Sequence, residues 1–383
     1  MPLIHTPVLF IALAIALTGC GSIQRGYESA LLLGDVRAGS GDSRLKSVTG
    51  VPIRSTITYT FSDRKHVADV YEPTGRQPRG TLVLIHGFTG HGRRDLRLVE
   101  FAASLARSGF VVVAPDVEGP RTFAVGLDDA RDIGDTLRHV TTNAGGFTVP
   151  PVGLMAFSFA VGPAMIAATD PAVADDVHFL VAIGGYYDLV DTITYVTTGF
   201  DPLSDRADTV PEPRREGKWL VLLGQLDRIH SDQDRRRLRW IAESRLDDPD
   251  ARVDAAVAAL GHEGRSVYRL VTNTDAYRVD EYVRGLPVDV RANLEGLDLA
   301  RRDLSRLQAE LILVHGTDDD VIPIGHSERL RDAVGDDQAH LFPASGLHHV
   351  EVSPGLRDGW QIWRAGSLIL RLADDHEGPA VSR

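Results

Sequence analysis

The chain has 383 residues, 43 % hydrophobic and 25 % charged, the balance of a soluble globular protein rather than a disordered or membrane-embedded one. Its 53 acidic residues outnumber 41 basic ones, and a net charge of −12 argues against nucleic acid and anionic lipid surfaces as partners. The single cysteine, Cys20, excludes a disulfide within the chain, and the length suits one core carrying an insertion.

Val8 to Leu17 is an apolar run too short to span a bilayer and of the length of a secretory hydrophobic region. Gly21 to Gly50, rich in Gly, Ser and charge, reads as a tether. Ile53 to Phe61 alternates and His66 to Tyr71 keeps strand spacing, with Ser62-Asp63-Arg64-Lys65 as the hairpin turn between them. The signal then changes. Thr81–Ile85, Val111–Ala114, Val152–Phe157, Val177–Ile183 and Leu311–Val314 are continuous apolar runs, as parallel strands buried on both faces require, and Ala339–Phe342 adds a last short strand. Helical spacing over Leu96–Ala106, Leu127–Thr141 and Val161–Ala168 alternates with them. The pattern predicts an α/β fold with a mostly parallel sheet of about eight strands flanked by helices.

The alternation breaks from Tyr186 to Ala309. Pro-, Asp- and Thr-rich sequence over Thr197–Pro213 opens this region. Within Lys218–His230, Trp219, Leu222, Leu223, Leu226 and Ile229 fall on one helical face. The predicted division is a leader over 1–19, a tether over 20–50, a core over 51–185 and 310–375, and a helical cap insertion over 186–309. Arg235-Arg236-Arg237, flanked by Asp232, Asp234 and Glu243, reads as a solvated helix face.

Ser158 lies in Ala156-Phe157-Ser158-Phe159-Ala160, between an apolar strand and a small-residue helix. Far downstream come Gly316-Thr317-Asp318-Asp319-Asp320-Val321-Ile322-Pro323 and Gly346-Leu347-His348-His349. A serine hydroxyl becomes a nucleophile only when a base takes its proton and a third group holds that base. The order Ser, Asp, His and these surroundings resemble the α/β-hydrolase family over about Ile53 to Leu372. The resemblance implies an elbow that raises Ser158 as nucleophile, although the family's Gly-x-Ser-x-Gly carries alanine here at both glycine positions. It implies Asp319 as the acid, with Asp188 and Asp227 as competitors, and His349 as the base, with His348 as the neighbour that could serve instead. It further implies an oxyanion hole from the amides of Phe159 and of Phe88, the latter in His86-Gly87-Phe88-Thr89-Gly90. His86 and Gly87 then shape the loop.

The segment Leu17-Thr18-Gly19-Cys20 resembles the lipobox of bacterial lipoproteins, in which the cysteine is lipidated and begins the mature chain. That resemblance implies a cell-envelope protein anchored by lipid at Cys20 to a bacterial membrane, facing the periplasm or the exterior. The expected activity is hydrolysis of carboxylic esters of small molecules through an acyl-enzyme. A serine peptidase of the prolyl-oligopeptidase or dienelactone-hydrolase type and a catalytically silent envelope binding protein are the alternatives. No cofactor or metal is expected, since the histidines at 86, 91, 262, 348 and 349 lack zinc-site spacing and the glycine clusters lack a phosphate-binding fingerprint. No protein partner is predicted.

Overall fold

The computed structural model describes the backbone of residues 6–204, 210–345, 347–349, 351–352 and 356–375. Side chains are described from Gly21 onward within these stretches, except at His348, Glu351, Val352 and 356–358. The side chains of Cys20, where lipidation is expected, and of His348, the alternative base, are therefore not among those described, nor is the loop glycine Gly346. No helix among the described residues is long and apolar enough to cross a membrane.

The strands of the main sheet are β1 (Ile53–Phe61), β2 (Arg64–Glu72), β3 (Gly80–Ile85), β4 (Phe110–Pro115), β5 (Val152–Phe157), β6 (Val177–Ile183), β7 (Glu310–Gly316) and β8 (Ala339–Ala344). They form one sheet in the order β1-β2-β4-β3-β5-β6-β7-β8. The β1–β2 and β2–β4 pairs are antiparallel and the others parallel. Every residue of β3 and β4 is buried, which is why these strands read as unbroken apolar runs. The first hairpin turn is tighter than expected. Arg64 and Lys65 already pair with Phe61 and Thr60, and only Ser62 and Asp63 turn, at φ of 49° and 61°. Such a two-residue turn with both φ positive matches the twist of its strands.

Helices cover both faces. Leu127–Thr141 and Val161–Ala168 pack with Val83, Ile85, Leu154 and Leu180 on one side. Leu96–Arg107 and Leu356–Asp374 pack with Leu82, Leu84, Val112 and Phe179 on the other.

The tether reading is overturned. A helix runs from Thr6 to Ala38, and its described part docks on the helix Leu356–Asp374. Glycines that suggest a loose linker here permit close contact instead. A Cβ at Gly26 would stand 2.8 Å from the Trp363 ring, and one at Gly366 would stand 2.5 Å from Ser29 Oγ. Trp363 Nε1–H donates to Gly26 O (2.7 Å), and Ser29 Oγ–H donates to Trp363 O (2.9 Å). Asp35 is fully buried, accepting from Ser104 (2.8 Å) and Ser43 and lying 3.3 Å from Lys46 Nζ. Long-range packing here outweighs the local propensity of a Gly- and Ser-rich stretch.

Between β6 and β7 the chain forms the expected helical insertion, including Leu189–Thr198, Gly217–Gln225, Asp232–Asp247, His262–Val271 and Val288–Leu297. Trp219, Leu222, Leu226 and Ile229 are buried, as their spacing implies. Arg236 is exposed, but Asp234 is not part of a solvated face. It is buried and accepts from the amides of Gly261 (2.7 Å) and Gly264 (2.9 Å), stapling two cap segments together. The sheet order, the flanking helices and this insertion are those of the α/β-hydrolase fold.

Candidate active site

Three loops bring the expected residues together where the parallel strands end. β5 stops at Phe157, and Ser158 turns the chain at φ 56° into the helix Val161–Ala168. A left-handed conformation is unfavourable for a residue with a side chain, by about 1–2 kcal/mol. Packing around the buried Ala156 and Ala160 holds the turn in place. An alanine at each glycine position of the elbow is therefore compatible with it.

Ser158 Oγ lies 2.7 Å from His349 Nε2, and His349 Nδ1 lies 3.0 Å from Asp319 Oδ2. The structure thus joins Ser158, His349 and Asp319 in one hydrogen-bonded relay. Gly184, at φ 62°, fits beneath it; a Cβ there would lie 3.5 Å from both Asp319 Oδ2 and His349 Nδ1. The position suits a residue without a side chain.

Asp319 is buried beside β7, in the turn after it. Its Oδ1 accepts from the amides of Val321 and Ile322, each at 2.9 Å. Its Oδ2 also faces His315 Nε2 at 3.4 Å. Burial alone would raise the carboxyl pKa, but hydrogen bonds from His315 and His349 more than reverse this and hold it well below the usual range. Asp319 therefore stays ionised and fixes the proton of His349 on Nδ1, leaving Nε2 free to accept from Ser158.

His315 has no counterpart in the sequence reading. Its Nε2–H donates to Ile322 O (2.8 Å), so Nδ1 accepts from Ser327 Oγ–H (2.6 Å). The ring braces the turn that carries Asp319. His326, equally silent in the sequence, is fully buried. Its Nδ1 accepts from the amides of Tyr187 (3.3 Å) and Asp188 (3.4 Å), and Nε2 lies 3.3 Å from Thr192 Oγ1. It ties the start of the cap to the helix Gly325–Val334.

Burial, with His315 nearby, pushes the His326 pKa from 6.5 down to about 3. A histidine whose folded pKa is lowered contributes its full share above the unfolded value of 6.5, and that share is lost as pH falls toward 3. The slope is about 1.4 kcal/mol per pH unit. His326→Gln, which lacks the titrating ring, is expected to flatten the fall in Tm between pH 6.5 and 4. Parallel Tm-versus-pH curves for the two proteins would contradict this role.

The competing acids lie elsewhere. Asp188 caps the helix Leu189–Thr198, accepting from the amides of Val190 (2.8 Å) and Asp191 (2.9 Å). Asp227 is exposed in a short helical turn of the cap. Asp320 accepts from Arg214 Nε at 2.8 and 2.9 Å, which links the cap to the turn bearing Asp319.

The loops expected to supply oxyanion donors lie side by side. The Phe88 and Phe159 rings stack at 5.2 Å, and a Cβ at Gly87 would lie 3.7 Å from Ser158 Cβ. His86 is buried; its Nδ1–H donates to Gly87 O (3.0 Å) and its Nε2 accepts from Val117 N–H (3.3 Å). That is a loop-shaping role, and burial lowers its pKa.

Away from the relay, His66, Asp132 and Asp135 place three ligand-type atoms within 4.8 Å of one another, a convergence hidden by their sequence spacing. Arg64 already engages both carboxylates, at 3.1 Å to Asp132 and 2.6 Å to Asp135. Its charge occupies the place a cation would take.

No protein-family model and no curated relative matches the chain. Among solved structures it is similar to a puromycin-hydrolysing peptidase of Mycobacterium tuberculosis, at 16 % identity over 84 % of this chain and 38 % of the other, with a TM-score of 0.47. It is also similar to an esterase of Pyrobaculum calidifontis (16 % identity, 97 % and 98 % covered, TM-score 0.46). A dienelactone hydrolase of Anabaena variabilis is a third (14 % identity, 83 % and 97 % covered, TM-score 0.41). The chain spans about two fifths of the length of the peptidase. No activity follows from likeness at this level.

Proposed function

We propose that the chain is a serine hydrolase that cleaves carboxylic esters of small molecules. The observation that carries this reading is the unbroken relay from Ser158 through His349 to Asp319, at 2.7 and 3.0 Å. Ser158 Oγ attacks the ester carbonyl while His349 Nε2 takes its proton. The tetrahedral oxyanion is held by the amides of Phe88 and Phe159, whose loops adjoin the elbow. His349 then passes that proton to the departing alkoxide, leaving an acyl-enzyme on Ser158. A water deprotonated by His349 attacks the acyl carbonyl; the acid is released and Ser158 regains its proton. Asp319 stays ionised throughout and stabilises the imidazolium.

A fluorophosphonate probe tests the reading directly. The native protein is expected to take up one adduct, mapped by peptide mass to Ser158, and heat-denatured protein none. Absence of an adduct under conditions that label a control esterase would favour a silent binding protein. Turnover of esters alone, or of anilides as well, would then separate esterase from peptidase.

A further inference from the structure

An open cleft of about 590 Å³ lies in the cap, lined by residues of the helices Leu189–Thr198, Gly217–Gln225, Asp232–Asp247 and His262–Val271. None of Ser158, His349 and Asp319 lines it, so it is separate from the relay. The cations Arg214, Arg215, Lys218 and Arg245 do line it. Arg214 is already committed to Asp320, at 2.8 and 2.9 Å. The other three pair with no carboxylate among the described residues.

Lys218 and Arg245 are half-buried, and Arg215 is exposed. Lys218 Nζ stands 5.7 Å from the centroid of the Trp219 ring, and Arg245 Nη1–H donates to Pro249 O. Burial, with Arg245 and Arg215 nearby, pushes the Lys218 pKa down, and no carboxylate among the described residues opposes them. A half-buried ammonium close to two guanidiniums is held at an electrostatic cost that an anion among them would reverse. Glu212, Glu216 and Asp250 also line the cleft, but all three are exposed, where water screens them. Beside the cations, Leu246 and Tyr268 supply apolar and aromatic surface. The volume is that of a small-molecule site, which takes roughly 300–1,000 Å³.

We propose that this cleft binds a small organic anion. Its phosphate or carboxylate group is held by Lys218 and Arg245 with Arg215 alongside, and its ring or chain lies against Leu246 and Tyr268.

The test is isothermal titration calorimetry of the full chain with phenyl phosphate, benzoate, benzyl alcohol and benzylamine. Wild type is expected to bind at least one of the two anions saturably with a Kd below about 1 mM, and the alcohol and the amine at least about tenfold more weakly. The tighter of the two anions identifies the head group. Lys218→Met and Arg245→Gln are each expected to weaken that anion by about tenfold. Lys218→Met keeps the aliphatic stem and removes an ammonium without a carboxylate partner, so its Tm is expected within a few degrees of wild type. Arg278→Gln removes the same charge from an arginine paired with Glu281 outside the cleft, and is expected to bind as wild type does. No saturable binding of either anion at about 10 mM, equal binding of benzylamine, or an unchanged affinity in Lys218→Met overturns the assignment. None of these outcomes bears on Ser158, whose labelling tests the hydrolase reading separately.

Discussion

Ser158→Ala is expected to lower kcat on small esters by on the order of 10⁶-fold, about 8 kcal/mol of transition-state stabilisation. The hydroxyl is the atom that forms the acyl-enzyme, and no other side chain in the relay can replace it. Little else should change. The substitution removes one side-chain hydrogen bond, to His349 at 2.7 Å, and alanine can take the same φ of 56° at the elbow. The variant should therefore keep its circular dichroism spectrum and its Tm within a few degrees while losing turnover. Initial rates on p-nitrophenyl acetate, read against the uncatalysed reaction, decide the matter. Activity within tenfold of wild type would remove Ser158 from the chemistry.

The second large effect is expected at Asp319→Asn, a fall in kcat of about 10⁴-fold with KM little changed. Asparagine preserves an acceptor for the amides of Val321 and Ile322, so the turn after β7 can persist. The side-chain amide nitrogen would instead face His349 Nδ1, where Oδ2 now accepts at 3.0 Å. A donor there favours the tautomer with the proton on Nε2, and His349 can then no longer accept the Ser158 proton. The damage is electronic and orientational. The charge also bears on stability: because the folded pKa is depressed, its contribution is complete above the ordinary value of 3.8 and fades as pH falls below it. The Tm difference between wild type and Asp319→Asn is thus expected to narrow in acid. A kcat within tenfold of wild type would point to another acid.

Much of this was legible because it rests on local pattern. β3 and β4 are buried on both faces, so their apolar runs declare them, and the turn chemistry around Ser158 and Asp319 is carried by neighbours in sequence. The rest depends on contacts between distant residues. Nothing near Gly26 or Ser29 foretells that Trp363 and Gly366 will pack on them, and a Gly- and Ser-rich segment docked against a helix reads the same as one in water. His315 and His326 have no motif about them. Their roles come from Ile322, Ser327, Tyr187 and Thr192, which only the folded chain assembles.

The insertion between β6 and β7 has a consequence for how such a protein changes over time. Ser158, Asp319 and His349 all lie in the stretches that build the sheet and its edge loops, whereas Leu189, Ile193, Val221 and Leu297, which line a small pocket together with Phe88 and Phe159, belong wholly to the insertion. On the hydrolase reading, the reacting atoms and the residues that cover them are thereby written in separate passages of the chain. Substitutions, or even changes of length, within the insertion can redraw the range of substrates while the reacting atoms keep their places, so that descendants of one ancestor can diverge in diet with a common chemistry.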